Sequence, residues 1–486
     1  MWLNVLIIVF ILLVLIVVIA LIRALRFGQT PPAAESLEGI AVDSDQVAQH
    51  LSKIIQVESI SMDNEPARQA KFEEVHTLLE KFYPRVHATL KRETINECSL
   101  LYTWEGTDPS LKPVAFLAHQ DVVPADPATL NQWTYPPFSG EIADGFVWGR
   151  GALDMKNHLV GIFEAAENLL EAGFQPRRTI YLASGHDEEI GGQHGAVAAA
   201  ALLAERGIEL EAVLDEGGMI LEGFLPGIPG KVALIGNEEK GHINVELSVQ
   251  QSPGHSSTPP AHSAIGILAA AITRLENNPM PAQPRALLPM MSHMGRKLPF
   301  SYRLLFANLW LFGGILKSVL EKNSKTNASI RTTMAATMIS GGIKPNVLPT
   351  VAQANVNCRI LPGYNIDQTV AHIHRVIADE RVTIKVNDGF CDEPSPVSPI
   401  EGGHFTEIAQ TVRGLFGDVS TTPFLMLGGT DSRHYTGICP NVYRFAPVQL
   451  TADDLGRVHG IDERIAVSSL GDMVRFFAQI MQTWAK

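Results

Sequence analysis

From residue 5 to residue 22 the chain is unbroken apolar, and Arg23 and Arg26 come directly after. Eighteen residues at about 1.5 Å each give roughly 27 Å of helix, close to the hydrocarbon thickness of a bilayer. A cleaved signal peptide would carry basic residues before the run and a small-residue cleavage site after it, and neither is evident. The pattern therefore predicts an uncleaved single-span anchor over residues 1–27, with residues 28–43 (QTPPAAESLEG at 29–39) as a linker. Lys and Arg near the span lie on its C-terminal side, which points to the cytoplasm for the rest of the chain. Two arginines leave the orientation open.

Beyond the linker, residues 44–57 read as an amphipathic helix with Val47, Leu51, Ile54 and Ile55 on one side. Short apolar runs then alternate with longer helical stretches, the rhythm of an α/β domain with a mainly parallel sheet. The clearest strands are 114–118, 179–183 and 212–214, with helices at 159–171 and 196–206. A second rhythm begins near Gly241. Strand 242–249, helix 264–275, strands 332–340 and 354–360, helix 366–379 and strand 382–386 give the order βαββαβ of a ferredoxin-like unit. It interrupts the first domain, so the expected organisation is a catalytic domain of residues 44–238 and 391–486 with an insert of residues 239–390. Within the insert, residues 279–323 are rich in Met, Phe, Leu and Trp (LPFSYRLLFANLWLFGGIL at 298–316). They predict either extra helices on the insert's sheet or an apolar wall facing a greasy substrate or a membrane.

Composition narrows the chemistry. A net charge of -13 over 486 residues argues against nucleic acid as a partner and against general adhesion to anionic lipid. Cys98, Cys358, Cys391 and Cys439 are widely spaced and form no CxxC pair, so thiolate zinc sites and a disulfide framework are not expected. No G-x-S-x-G elbow is present for a serine hydrolase.

Five segments instead gather His and carboxylates at tight turns or after apolar runs: AHQDVVP (118–124), GRGALDMK (149–156), GHDEEIGG (185–192), LDEGG (214–218) and VHGIDER (458–464). Three of them come after strands, where open α/β sheets place their ligands. Carboxylates crowded at one sheet edge repel one another unless cations hold them. Imidazole and carboxylate without thiolate suit zinc, with cobalt or manganese as chemically acceptable substitutes. Two metals about 3.5–4 Å apart need a shared ligand, and a single Asp between Gly-rich turns can serve.

The five segments, in this order, resemble those of the two-zinc aminoacylase, carboxypeptidase S and glutamate carboxypeptidase metallopeptidases. GHSSTPP (254–260), IGILAAAITRLE (265–276) and SIRTTMA (329–335) bring the chain nearest the branch holding carboxypeptidase S and the N-fatty-acyl-amino acid synthase/hydrolases. The resemblance implies a zinc-peptidase catalytic domain carrying an inserted lid and dimerisation domain. It implies one zinc held by His119, Asp154 and Asp215 and a second by Asp154, Glu189 and His459, with Asp154 bridging. Glu188 takes the place of the general base, Asp121 that of the carboxylate orienting a ligand, and His255 that of the oxyanion donor. Asn346, Arg359 and Arg433 fall at positions used near the substrate. A cis peptide is implied after Asp154, and relatives often pair through the insert. The expected substrate is an N-acyl amino acid or a short peptide, cleaved beside a free amino-acid carboxylate, with N-fatty-acyl amino acid synthesis as the reverse direction. The competing class is a membrane-anchored scaffold on an inactive version of the fold. Such a protein is expected to lose the base or a ligand, and no ligand position is substituted here.

Overall fold

The computed structural model describes residues 2–28, 34–62, 67–223, 230–451 and 453–486. Residues 29–33, part of the predicted linker, lie outside the described residues. The chain forms two compact units.

The larger unit comprises Thr30–Asn237, Ser398–Phe424 and Thr430–Lys486. Its sheet runs, in spatial order, Lys91–Ile95, Ser99–Trp104, Ile180–Gly185, Val114–His119, Ala212–Asp215, Val442–Arg444, Lys231–Glu239, Ile220–Glu222 and Gln449–Thr451. The four strands from Ile180–Gly185 to Val442–Arg444 are mutually parallel, whereas the Lys91–Trp104 hairpin adds antiparallel at the edge. Val114–His119 is buried along its whole length. A parallel strand covered on both faces reads as a continuous apolar run for that reason. Its side chains nevertheless sort by the period of two. Phe116 and Ala118 join Leu159, Phe163, Met473 and Phe477 on one face, and Ala115 and Leu117 join Ala199, Leu203 and Val213 on the other. Helices Lys156–Glu171 and Val467–Trp484 cover the first face and Ala196–Glu205 the second. Asp43 caps the helix Ser44–Ile55 by accepting from the backbone N–H groups of Asp45 and Gln46.

This arrangement points the carboxyl ends of three parallel strands the same way. They finish at His119, Gly185 and Asp215.

The second unit comprises Met1–Gln29, Glu238–Val397 and Leu425–Gly429. Its four-stranded sheet is ordered Thr333–Gly341, Val351–Ile360, Gly241–Gln250, Thr383–Asp392, all antiparallel. Along the chain the order is strand, helix Ala264–Asn277, two strands, helix Ile366–Ile377, strand. Ile243, Val245 and Leu247 pack with Ile267, Leu268, Ile373 and Ile377. The helix predicted to reach residue 379 stops at Ile377 because Ala378 takes a left-handed φ of 43°. The Met-, Phe-, Leu- and Trp-rich segment of residues 279–323 forms helices Leu288–Met294, Phe300–Ala307 and Leu309–Leu320. The N-terminal apolar run is one helix, Trp2–Arg26, long and apolar enough to cross a membrane.

Candidate metal centre

Every residue of the centre belongs to the larger unit. His119 ends the central strand and is 1% exposed. Its Nδ1 lies 2.9 Å from the Asp121 carbonyl oxygen and 3.3 Å from Asp121 Oδ1, which orients the ring so that Nε2 faces the cluster. Nε2 stands 3.2 Å from Asp154 Oδ1, 3.4 Å from Glu216 Oε1 and 3.9 Å from Glu188 Oε2. On the other side of Asp154, Oδ2 lies 2.9 Å from His459 Nε2, which is also 3.3 Å from Glu189 Oε2. Two trios therefore share Asp154: His119–Asp154–Glu216 and Asp154–Glu189–His459, with ligand atoms in each all within 4.8 Å of one another.

The turn before Asp154 is held from beneath by Glu463, which is fully buried. Glu463 Oε1 accepts from the backbone N–H groups of Gly151 at 3.0 Å, Leu153 at 2.7 Å and Asp154 at 3.1 Å. Its other oxygen pairs with the buried Arg150 guanidinium, which also donates to the carbonyl oxygens of His459 and Gly460. The Arg150–Glu463 pair thus binds the Asp154 turn to the His459 turn, where His459 itself sits at a φ of 58°. The Asp154–Met155 peptide is cis.

Asp121, fully buried, is shared in the same manner. Beyond His119 it accepts from the Glu188 N–H at 3.3 Å, the Glu189 N–H at 3.2 Å and the Ser61 hydroxyl. Asp121 therefore fixes the imidazole mainly through its backbone carbonyl and the turn that carries Glu188 and Glu189 through its carboxylate.

Charge crowding marks the cluster. Burial raises the Glu188 carboxyl well above the usual range against the opposing charge of His119, and the charges of Glu216, Asp431 and Glu189 raise it further. Burial, then the charge of Asp154, pushes Glu216 up to about 8. Hydrogen bonds to Asp154 and Glu189 push His459 up to about 10. Glu189 Oε1 is buried without a hydrogen-bond partner. Closely set acids, two imidazoles with Nε2 directed at shared carboxylate oxygens, and an orphaned carboxylate oxygen are groups that could hold divalent metal. The residues fit such a metal, in two groups that share Asp154.

Asp215 and Glu216 adjoin at the end of one strand and differ in what they face. Asp215 ends its strand buried, and its Oδ2 accepts from the Ser432 N–H at 2.8 Å. Successive side chains at a strand end point to opposite sides. It is therefore the next residue, Glu216, that meets His119, and Asp215 is in neither trio. Arg150 and Glu463 lie inside the GRGALDMK and VHGIDER segments, but no spacing rule marks them as supports.

Arg433 is half-buried in the same unit, on the short helical turn Asp431–Tyr435, and its Nε donates to the Thr430 carbonyl at 3.2 Å. His255, Asn346 and Arg359 belong to the other unit. There His255 is exposed on a two-stranded ribbon opposite Val347, its Nδ1 2.7 Å from Ser257 Oγ, and the Asn346 carbonyl accepts from Ser256 N–H. Arg359 is on strand Val351–Ile360, paired with His242 and Thr333.

Known proteins share this architecture. Residues 115–483 match Peptidase family M20/M25/M40. The chain is 42% identical over 437 residues to the N-fatty-acyl-amino acid synthase/hydrolase PM20D1.1 of Danio rerio, covering 88% of this chain and 84% of the relative. It is 39% identical over 476 residues to the probable carboxypeptidase S-like 2 of Dictyostelium discoideum, covering 96% and 91%. Its fold is similar to that of the M20 family metallo-carboxypeptidase Sso-CP2 from Sulfolobus solfataricus, with a TM-score of 0.67 at 17% identity over 90% of this chain and 99% of the other.

Proposed function

The chain belongs to peptidase family M20/M25/M40 and is a peptidase or amidohydrolase, and we propose that it is a two-zinc enzyme cleaving the amide of N-acyl amino acids or of short peptides beside a free carboxylate. The observation that carries this reading is Asp154, whose two oxygens face His119 and His459 at 3.2 and 2.9 Å. His119, Asp154 and Glu216 would hold one ion, and Asp154, Glu189 and His459 the other. When bound, a divalent pair supplies Lewis acidity towards a carbonyl and a water.

The chain's own groups handle the protons. Glu188 stands behind the cluster with a carboxyl whose proton affinity is already raised by burial. It is suited to take the proton of an attacking water and return it to the leaving amine near neutral pH. Asp121 orients the His119 ring with Nε2 towards the cluster and holds the Glu188 turn in place. We read Arg433 as a clamp for the substrate carboxylate, a task suited to a planar guanidinium.

We also read Trp2–Arg26 as a membrane anchor, and the insert as a ferredoxin-like lid, which its strand order and antiparallel pairing support. The test is a substrate screen of the metal-loaded protein with dipeptides, N-acetyl amino acids and N-oleoyl amino acids, with Glu188→Gln as control. Hydrolysis of at least one class, absent from the control, is expected. Metal bound without turnover on any of the three would overturn the reading in favour of a scaffold.

A further inference from the structure

The unit containing the insert also contains the N-terminal helix, and the two meet at a specific seam. Of the helix Trp2–Arg26 only Ala20 and Ala24 are buried, and the helix packs on Phe300–Ala307. Arg23 Nε donates at 2.9 Å to the carbonyl oxygen of Ala307, the last residue of that short helix, where carbonyls lack intrahelical partners. Asn308, fully buried, donates from Nδ2 to the Ala20 carbonyl at 3.0 Å and to the Leu304 carbonyl at 2.9 Å. Gly28 approaches the Gly295 backbone so closely that no Cβ would fit between them. The apolar helix is thus fastened at its C-terminal end to the break between Phe300–Ala307 and Leu309–Leu320, which are bent by 114°.

The second arm of that bend is turned outward. Trp310 is 52% exposed, Ile315 61% and Val319 57%, with Leu311 also exposed, while Leu316 alone of the arm is buried. Leu311, Ile315 and Val319 repeat every four residues and so form one stripe. Charge adds an independent sign. Residues 277–320 contain Arg285, Arg296, Lys297, Arg303 and Lys317 and no Asp or Glu, in a chain whose net charge is -13. Just past the arm Glu321 pairs with Lys317 at 3.9 Å, and an exposed apolar stripe beside a segment that is basic on balance is the composition of an element lying in the interface of an anionic bilayer.

We propose that the bent pair Phe300–Ala307 and Leu309–Leu320 beds into the surface of an anionic lipid bilayer beside the N-terminal helix, holding the insert against the membrane. The proposal rests on reading Trp2–Arg26 as a membrane span. Lipid is the chosen occupant because the patch continues from a helix that already needs lipid around it, and because a segment basic on balance suits lipid phosphates.

The test uses the full chain in the Cys391→Ser background, reconstituted in phosphatidylcholine vesicles with and without phosphatidylglycerol. Spin labels are placed in turn at Ile315→Cys, Val319→Cys, Leu12→Cys and Thr273→Cys, and collisions with oxygen and with a water-soluble nickel chelate are compared. Expected are oxygen collisions exceeding chelate collisions several-fold at 12, 315 and 319, the reverse at 273, and deeper settings at 315 and 319 when phosphatidylglycerol is present. Chelate access at 315 and 319 equal to that at 273, with 12 in lipid, overturns the proposal while leaving the anchor and the hydrolase reading standing. Chelate access at 12 as well overturns the anchor and the proposal together. Spin–spin broadening between two copies labelled at 315 overturns it in favour of self-association. Equal depth in both lipids overturns the charge argument.

Discussion

The backbone N–H of Asp154 donates to Glu463 at 3.1 Å, and the same carboxylate oxygen takes two further N–H groups from the turn that leads into Asp154. The shared residue of both trios is therefore aimed by a buried acid that touches neither histidine ring. Supports of this kind commonly contribute tenfold to a hundredfold in metal affinity. Glu463→Gln keeps the shape but removes the charge opposite Arg150, and is expected to weaken metal binding by about 10–100-fold in chelator competition. Unchanged affinity would remove Glu463 from the account.

The neighbours Asp215 and Glu216 separate two roles that the sequence leaves adjacent. Glu216→Ala is expected to lose one metal equivalent with little change in thermal midpoint. Asp215→Ala is expected to keep both metals but to leave the Ser432 N–H buried and unpaired, a cost of about 1–3 kcal/mol seen as a lower midpoint. Metal loss on the Asp215 substitution alone would reverse the assignment.

Glu188→Gln is expected to retain full metal content and to lower turnover by about 10²–10⁴-fold, the usual scale for a general base. Loss of metal in that variant would make Glu188 a ligand instead.

A pH dependence arises from Lys240, buried in the second unit with its Nζ donating to the Arg331 carbonyl at 2.7 Å. Burial, then the charge of Arg359, pushes its amine down to about 7. Between that value and about 10.5, the usual lysine value, the unfolded chain binds a proton that the folded chain does not. Stability therefore rises with pH across this window, at a slope approaching about 1.4 kcal/mol per unit. Lys240→Met is expected to be more stable than the native chain at pH 7, with the difference shrinking towards pH 9 in thermal melts. A pH-independent difference would contradict this assignment.

Much of the fold is legible in the sequence because periodicity reports burial directly. The strand ending at His119 stands out as an apolar run because both of its faces are covered. The buried alternation of Ala352, Ala354, Val356, Cys358 and Ile360 reads as a half-buried strand only from Ala354 onward. Where a motif holds one candidate ligand, as at His119, Asp154 and His459, the sequence names a single residue. At LDEGG two acids adjoin, and the side each takes depends on where the strand ends, which the sequence does not mark. Glu463 and Asn308 escape a sequence reading for a related reason: their partners lie 309 and 288 residues away along the chain.

The central claim, that Asp154 joins two metal ions on which amide hydrolysis depends, is tested most directly by elemental analysis of the purified chain and of Asp154→Asn, with activity measured on the same samples. The account predicts two divalent ions per native chain, both lost or greatly weakened in the variant, and activity that disappears with them. A native chain that hydrolyses its substrate without stoichiometric metal, or an Asp154→Asn chain that keeps both ions and full turnover, would contradict it.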